Sequence, residues 1–225
     1  MQEIFHHVVV RTIGENSLQG KGAERDMEVR MAISNADRRS ALLAAAEQEL
    51  DALVQCGVRI CGNAASPVVL VKGELNADEA AGADVLAGAD GTALRAALER
   101  LGYAPEDFCA LAAVAGPCEE GAAPRTVAGD PLPAELFREA LEALDPEAVV
   151  LLDDTAAALM RDAYAEELAR IEQFEVAMLT PGLVARVLGR RVLALDGFEA
   201  ALGDVRAKQR MWAYLKQIPP LGAPY

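Results

Sequence analysis

Positive charge is scarce in this chain: 21 Lys+Arg stand against 35 Asp+Glu in 225 residues, a formal charge of -14. That balance repels nucleic acid at long range, unlike what a dedicated strong DNA binder is expected to show, while it suits a soluble protein kept monodisperse by its surface. Long apolar runs are missing as well. None approaches the roughly 18 residues needed to span a bilayer, and the opening MQEIFHHVVV lacks the basic flank and long apolar stretch of a signal peptide. The expectation is a cytoplasmic protein with no membrane partner. Cysteine occurs four times, too sparsely for the disulfide framework of a secreted domain, so free thiols or metal ligands are expected. The two histidines, His6 and His7, stand side by side near the start and read as exposed terminal residues. Nucleotide fingerprints are absent too: the Gly-rich stretch Ala87 to Gly91 has neither the Lys-Ser/Thr of a P-loop nor a Gly-x-Gly-x-x-Gly pattern.

Apolar patterning is plentiful, with hydrophobic residues at 52%, enough for one sizeable α/β domain. Residues 1–36 mix short apolar pieces with an aperiodic polar stretch and read as a loosely attached extension. Residues 37–218 carry the domain, and 219–225 form a Pro/Gly-rich tail. A helix is predicted over 37–55 from Leu43, Ala46, Leu50 and Leu53. Pro67 to Val71, Cys109 to Val114 and Ala148 to Leu152 are continuous apolar runs, as expected of strands buried on both faces of a parallel sheet. Helices are predicted between them: one capped by Thr92 and ended by Gly102, one opened by Pro133 and closed by Pro146. A further helix spans Thr155 to Tyr164, and Arg206 to Gln217 supply a terminal one. Glu175 to Leu179 and Val192 to Leu195 are read as short strands. This alternation predicts a three-layer α/β/α fold around a mostly parallel sheet. Loops at the carboxyl ends of its strands, after Val71, after Leu195 and over Gly116 to Gly129, are expected to share one cleft.

Several stretches carry a resemblance in their order and spacing: Lys72-Gly73-Glu74-Leu75-Asn76-Ala77-Asp78-Glu79 after a buried strand, Ala81 to Gly91, Leu111 to Cys118, and Val192 to Leu202 followed by Lys208 to Lys216. Together they resemble the uracil-DNA glycosylase superfamily, especially its iron–sulfur-bearing branch. The resemblance implies a uracil-DNA glycosylase-like domain in which Glu74, with Asp78 or Glu79 nearby, activates water or stabilises an oxocarbenium-like sugar. It implies a pocket containing Gly73, Val85 and Ala112. Val85 stands where the family has the aromatic that stacks on an extruded base, and Ala112 where an asparagine reads the base edge. Asp196-Gly197 stands in place of a His-Pro pair, so a carboxylate faces the developing anion that the histidine would stabilise. Four thiolates are the number a 4Fe–4S cluster requires, but the spacing of Cys56, Cys61, Cys109 and Cys118 does not suit one, and a colourless protein without iron is expected. Arg206, Lys208 and Arg210 would face DNA, giving weak, sequence-independent binding; the same residues also read as a solvated helix face.

The replacements together predict a divergent, non-catalytic member of the superfamily, retained as a binding or regulatory module linked to DNA repair and open to a protein partner. Two alternatives stand beside it. One is an active base-excision glycosylase using Glu74 to activate water, since a reduced set of catalytic groups can retain rate. The other is a small-molecule or nucleotide-binding α/β protein.

Overall fold

The apolar runs become the interior of a six-stranded sheet in a computed structural model that describes residues 44–118 and 125–222. The chain divides into two compact units, Met1–Gln48 and Glu49–Tyr225, and every strand of the sheet belongs to the second. The expected extension, the start of the first predicted helix, residues 119–124 of the long loop and the last three residues of the tail lie outside the described residues. The strands are β1 (Ile60–Gly62), β2 (Val68–Lys72), β3 (Cys109–Ala112), β4 (Ala148–Leu151), β5 (Val184–Val187) and β6 (Arg190–Ala194), in the spatial order β1-β3-β2-β4-β6-β5. The inner four are mutually parallel, while β1 and β5 run antiparallel at the edges.

Because side chains alternate along a strand, each inner strand serves both faces of the sheet. Val69, Val71, Leu111, Val149 and Leu151 point to one face, which is covered by α4 (Ala134–Leu144) and α5 (Asp154–Ala163). Leu70, Ala110, Ala112, Val150 and Leu193 point to the other, which is covered by α3 (Ala89–Leu101) and α9 (Val205–Leu215). The result is the expected three-layer α/β/α fold with a mixed, mostly parallel sheet. The helix preceding β1, α1, is described over 44–55. Short helices fill the connections: α2 (Ala77–Ala80), α6 (Ala165–Leu168), α7 (Phe174–Ala177) and α8 (Phe198–Ala201). None of the described helices is long and apolar enough to cross a membrane.

Several boundaries differ from the sequence reading. Glu175 to Leu179, expected as a strand, falls largely within α7, where Ala177 and Met178 donate to the carbonyls of Gln173 and Phe174 at 2.9 Å. The place beside β6 is taken by β5 instead, because Leu188 and Gly189 both adopt positive φ (49° and 87°) and close a two-residue hairpin. β3 stops at Ala112, since the Ala113 carbonyl turns to accept from Leu132 and Val114 bridges Pro131. α3 begins before Thr92, whose hydroxyl donates back to the Gly88 carbonyl at 3.1 Å instead of capping.

The sheet order fixes where a ligand can enter. After β2 the chain leaves for α3 on one face; after β4 it leaves for α5 on the other. β2 and β4 are neighbours, so a crevice opens between their carboxyl ends, at the point where the winding direction changes.

One glycine is required for this end of the sheet to close. A methyl group at Gly91 would overlap the carbonyl of Leu86, a buried residue already held at φ 60°. Gly91→Ala should therefore lower stability by about 3 kcal/mol in urea unfolding. Gly203→Ala, whose new methyl would meet nothing closer than 3.7 Å, should stay within about 0.5 kcal/mol of the parent.

Candidate functional site

β2 ends on a lysine that has nowhere to go but inward. Lys72 is 2% exposed, and its Nζ lies 2.6 Å from Asp90, 2.7 Å from Glu79 and 2.7 Å from Glu199. An ammonium has three protons, so these acceptors satisfy it completely. Each carboxylate comes from a different element: Glu79 from α2, Asp90 from the first turn of α3, and Glu199 from α8. Burial disfavours the ammonium, but hydrogen bonds to Asp90, Glu199 and Glu79 overcome that penalty and raise its pKa above the ordinary lysine range. A folded-state pKa raised above the unfolded value means that this stabilisation is complete below the unfolded pKa. It is lost only as pH climbs through the higher folded value.

Glu79 does more than balance charge. Its Oε2 accepts from the Asn76 N–H at 2.8 Å and its Oε1 from the Leu86 N–H at 2.7 Å, while the Asn76 side chain caps α2 in return. The segment from Asn76 to Leu86 is thereby tied to the end of β2. The neighbouring turn is held from β4. Asp153, 3% exposed at the N-cap of α5, accepts from Ala156 with Oδ1 and from the N–H groups of Gly73 and Glu74 with Oδ2, at 2.8 and 3.0 Å. A side chain at Gly73 would meet Thr155 at 2.5 Å, so the turn can approach this closely only with glycine there.

Between these groups lies a cleft of about 380 Å³ at the carboxyl ends of β2, β4 and β6. It is lined by Glu74, Asn76, Asp90, Asp153, Phe198 and Glu199, with Lys72 among them. Its charged groups are carboxylates, apart from an ammonium whose protons are already donated. Such a cleft repels phosphate and favours a ligand bearing hydrogen-bond donors or positive charge.

The expected site residues are distributed unevenly around this cleft. Glu74 is exposed on its wall, and Gly197 lines it. Asp196, next in chain, is exposed and accepts from the Arg210 guanidinium at 2.9 Å. Asp78 is exposed on α2 and does not line it. Val85 and Ala112, 2% and 0% exposed, pack in the core on the α3 face. Gly73 lines a separate cleft of about 580 Å³ with Arg59, Gly82, Gly116 and Gly129. Of the three loops expected to share one cleft, those after β2 and β6 line the first, while Gly116 and Gly129 line the second, because their loop follows β3, on the far side of β2 from β4 and β6; Leu75 lines both. Lys72, Asp90, Asp153 and Glu199 were missed by sequence reasoning. A lysine closing an otherwise apolar strand, and an aspartate directly before a helix, were the available signals.

Among the described residues no three cysteines converge. Cys56 gives only its carbonyl to Cys118, 3.1 Å from that thiol. Cys61 lies near Asp84 with its pKa raised by burial, and burial pushes the Cys109 thiol up to about 12. The four thiols are thus not gathered as a four-thiolate cluster would require. Glu79, Asp90 and Glu199 bring carboxylate oxygens within 4.8 Å of one another, but the Lys72 ammonium already fills the position a cation would take.

Lys72→Met should cost roughly 3–5 kcal/mol in denaturant unfolding, because it leaves buried carboxylates without their counter-ion. Among the four lysines, Lys21, Lys72, Lys208 and Lys216, an amine-reactive reagent at about pH 8.5 should modify Lys208 and Lys216 and spare Lys72 in the folded protein, as read by peptide mass spectrometry. No family model matches this chain, and no curated protein matches it either.

Proposed function

We propose that this chain is a divergent, uracil-DNA glycosylase-like protein that does not excise bases and serves as a binding module linked to DNA repair. The observation that carries this reading is the charge of the cleft. Base excision leaves negative charge on the departing base and needs donors aimed at it. Here the charged groups at the strand ends are acceptors, and the one ammonium is saturated by Glu79, Asp90 and Glu199. The family likeness is supported by the Gly73-Glu74 turn at the end of β2 and by the Asp196-Gly197 loop after β6: Glu74 and Gly197 line one cleft. The positions expected to stack on and read a base, Val85 and Ala112, are buried in the core and offer a flipped base nothing.

Glu74 also favours a second reading, a glycosylase in which this exposed carboxylate activates water. One assay separates the two. Purified protein incubated with single- and double-stranded oligonucleotides containing uracil or hypoxanthine should yield no abasic product. Product that disappears in Glu74→Gln would overturn the binding-module reading in favour of the enzyme.

DNA affinity should be weak, about micromolar or poorer near physiological salt, given the net charge of -14. Arg206, Lys208 and Arg210 are all exposed on α9, but Arg210 is engaged by Asp196. Replacing all three with Ala should abolish whatever binding exists in a fluorescence anisotropy titration; tight binding that survives would place the DNA-facing surface elsewhere.

A further inference from the structure

An apolar groove of about 480 Å³ runs between α3 and α9, away from the carboxylates of the cleft. One wall is the face of α3 bearing Ala93, Ala97 and Arg100; the other is the face of α9 bearing Val205, Lys208 and Trp212. Both sets recur at helical spacing, so each wall is a continuous stripe. Leu202 and Leu215 also line the groove, and Val205 is 68% exposed, costly for a valine with nothing upon it. Charge frames this apolar strip. Arg100 and Lys208 stand on opposite walls, and neither forms an ion pair with a described residue. α9 itself carries Arg206, Lys208 and Arg210 with no acid among Val205–Leu215, in a chain whose net charge is -14.

We propose that this groove docks an acidic amphipathic helix of a partner protein. An apolar stripe on the incoming helix would cover the alanines, Val205 and Trp212, completing a third helix beside α3 and α9. Acidic residues flanking that stripe would meet Arg100 on one side and Lys208 on the other, fixing its position. Nucleic acid fits poorly, because a phosphate backbone would have to lie over apolar surface with only these two cations on the walls. A second copy docking through the same groove would set Arg100 and Lys208 against its own Arg100 and Lys208, with no acid on either wall to meet them. The groove lies on a different surface from Glu74, so the outcome of the glycosylase assay neither supports nor removes this proposal.

Trp212 is the only tryptophan in the chain and lines the groove, which gives a direct reading. The full chain is titrated with a synthetic helical peptide that has leucines at i, i+3, i+4 and i+7, glutamates elsewhere, and no tryptophan or tyrosine. The expected result is a saturable blue shift of Trp212 emission that weakens as salt is raised. The double change Arg100→Glu and Lys208→Glu should reduce affinity about tenfold or more. Val205→Asp should weaken it independently; these three positions are exposed, so circular dichroism and the urea midpoint should match the parent. The proposal is overturned by an absent or non-saturable shift, by equal binding of the peptide with lysine in place of glutamate, or by affinity unchanged in the double variant. It is equally overturned if an oligonucleotide produces the Trp212 shift and the acidic peptide does not. Concentration-dependent dimerisation in sedimentation that shields Trp212 and resists the peptide also overturns it, and gives the groove to a second copy.

Discussion

The buried ammonium of Lys72 is the constraint on which the strand-end architecture rests. Without it, Glu79 and Asp90, at 2% and 3% side-chain exposure, would be isolated charges in a low-dielectric interior. With it, three connections that are far apart in sequence are pinned to the end of one strand. α2 is held through Glu79, the start of α3 through Asp90, and the loop after β6 through Glu199. The arrangement also carries a chemical consequence. A metal could reach these three carboxylates only by displacing the ammonium that already pairs with them.

Two further features adjoin that hub. Asp153 anchors the Gly73–Glu74 turn from the β4 side, so the cleft is built from opposing supports whose geometry is fixed by hydrogen bonds to backbone N–H groups. Glu199 is the exposed member of the lysine cluster, at 49%, and it sits on α8 next to Phe198. Phe198 contributes to the wall of the carboxylate cleft and also to the groove between α3 and α9. One short helix thus joins the two concave surfaces of the domain.

The sequence made the layers legible and left the site largely hidden, for physical reasons that differ from element to element. β2 and β4 were readable because strands buried on both faces need continuous apolar runs, and Pro67 to Val71 and Ala148 to Leu152 are such runs. α4 was readable because Phe137, Leu141 and Leu144 repeat on one face between two prolines. The edge hairpin was not, since its turn is Leu188-Gly189, which lacks the Asn-Gly or Asp-Gly signature of such turns. α7 was misread because four residues of Phe-Glu-Val-Ala are too few for either period to declare itself. At the site, Glu74 was visible from its glycine, whereas the partners of Lys72 lie 7, 18 and 127 residues away and follow no local pattern. Long-range polar networks are written in the tertiary fold alone.

Charge is the remaining link between fold and recognition, and its distribution matters more than its total. Several cations are spent within the domain: Arg125 on Glu139, Arg138 on Glu142 and Glu167, Arg190 on Asp145, Arg210 on Asp196, and Lys72 inside. The uncompensated remainder is sorted by place. At the carboxyl ends of the strands the surplus is negative; along α9 and the facing edge of α3, Arg100, Arg206 and Lys208 stand without a described carboxylate partner. A net charge of -14 sets the long-range field and slows the approach of any polyanion. Within a Debye length the local sign decides, and that sign is negative at the cleft and positive at Arg100 and Lys208 on the groove walls. The two surfaces therefore differ in the chemistry they present: acceptors in the cleft, cations and apolar side chains in the groove.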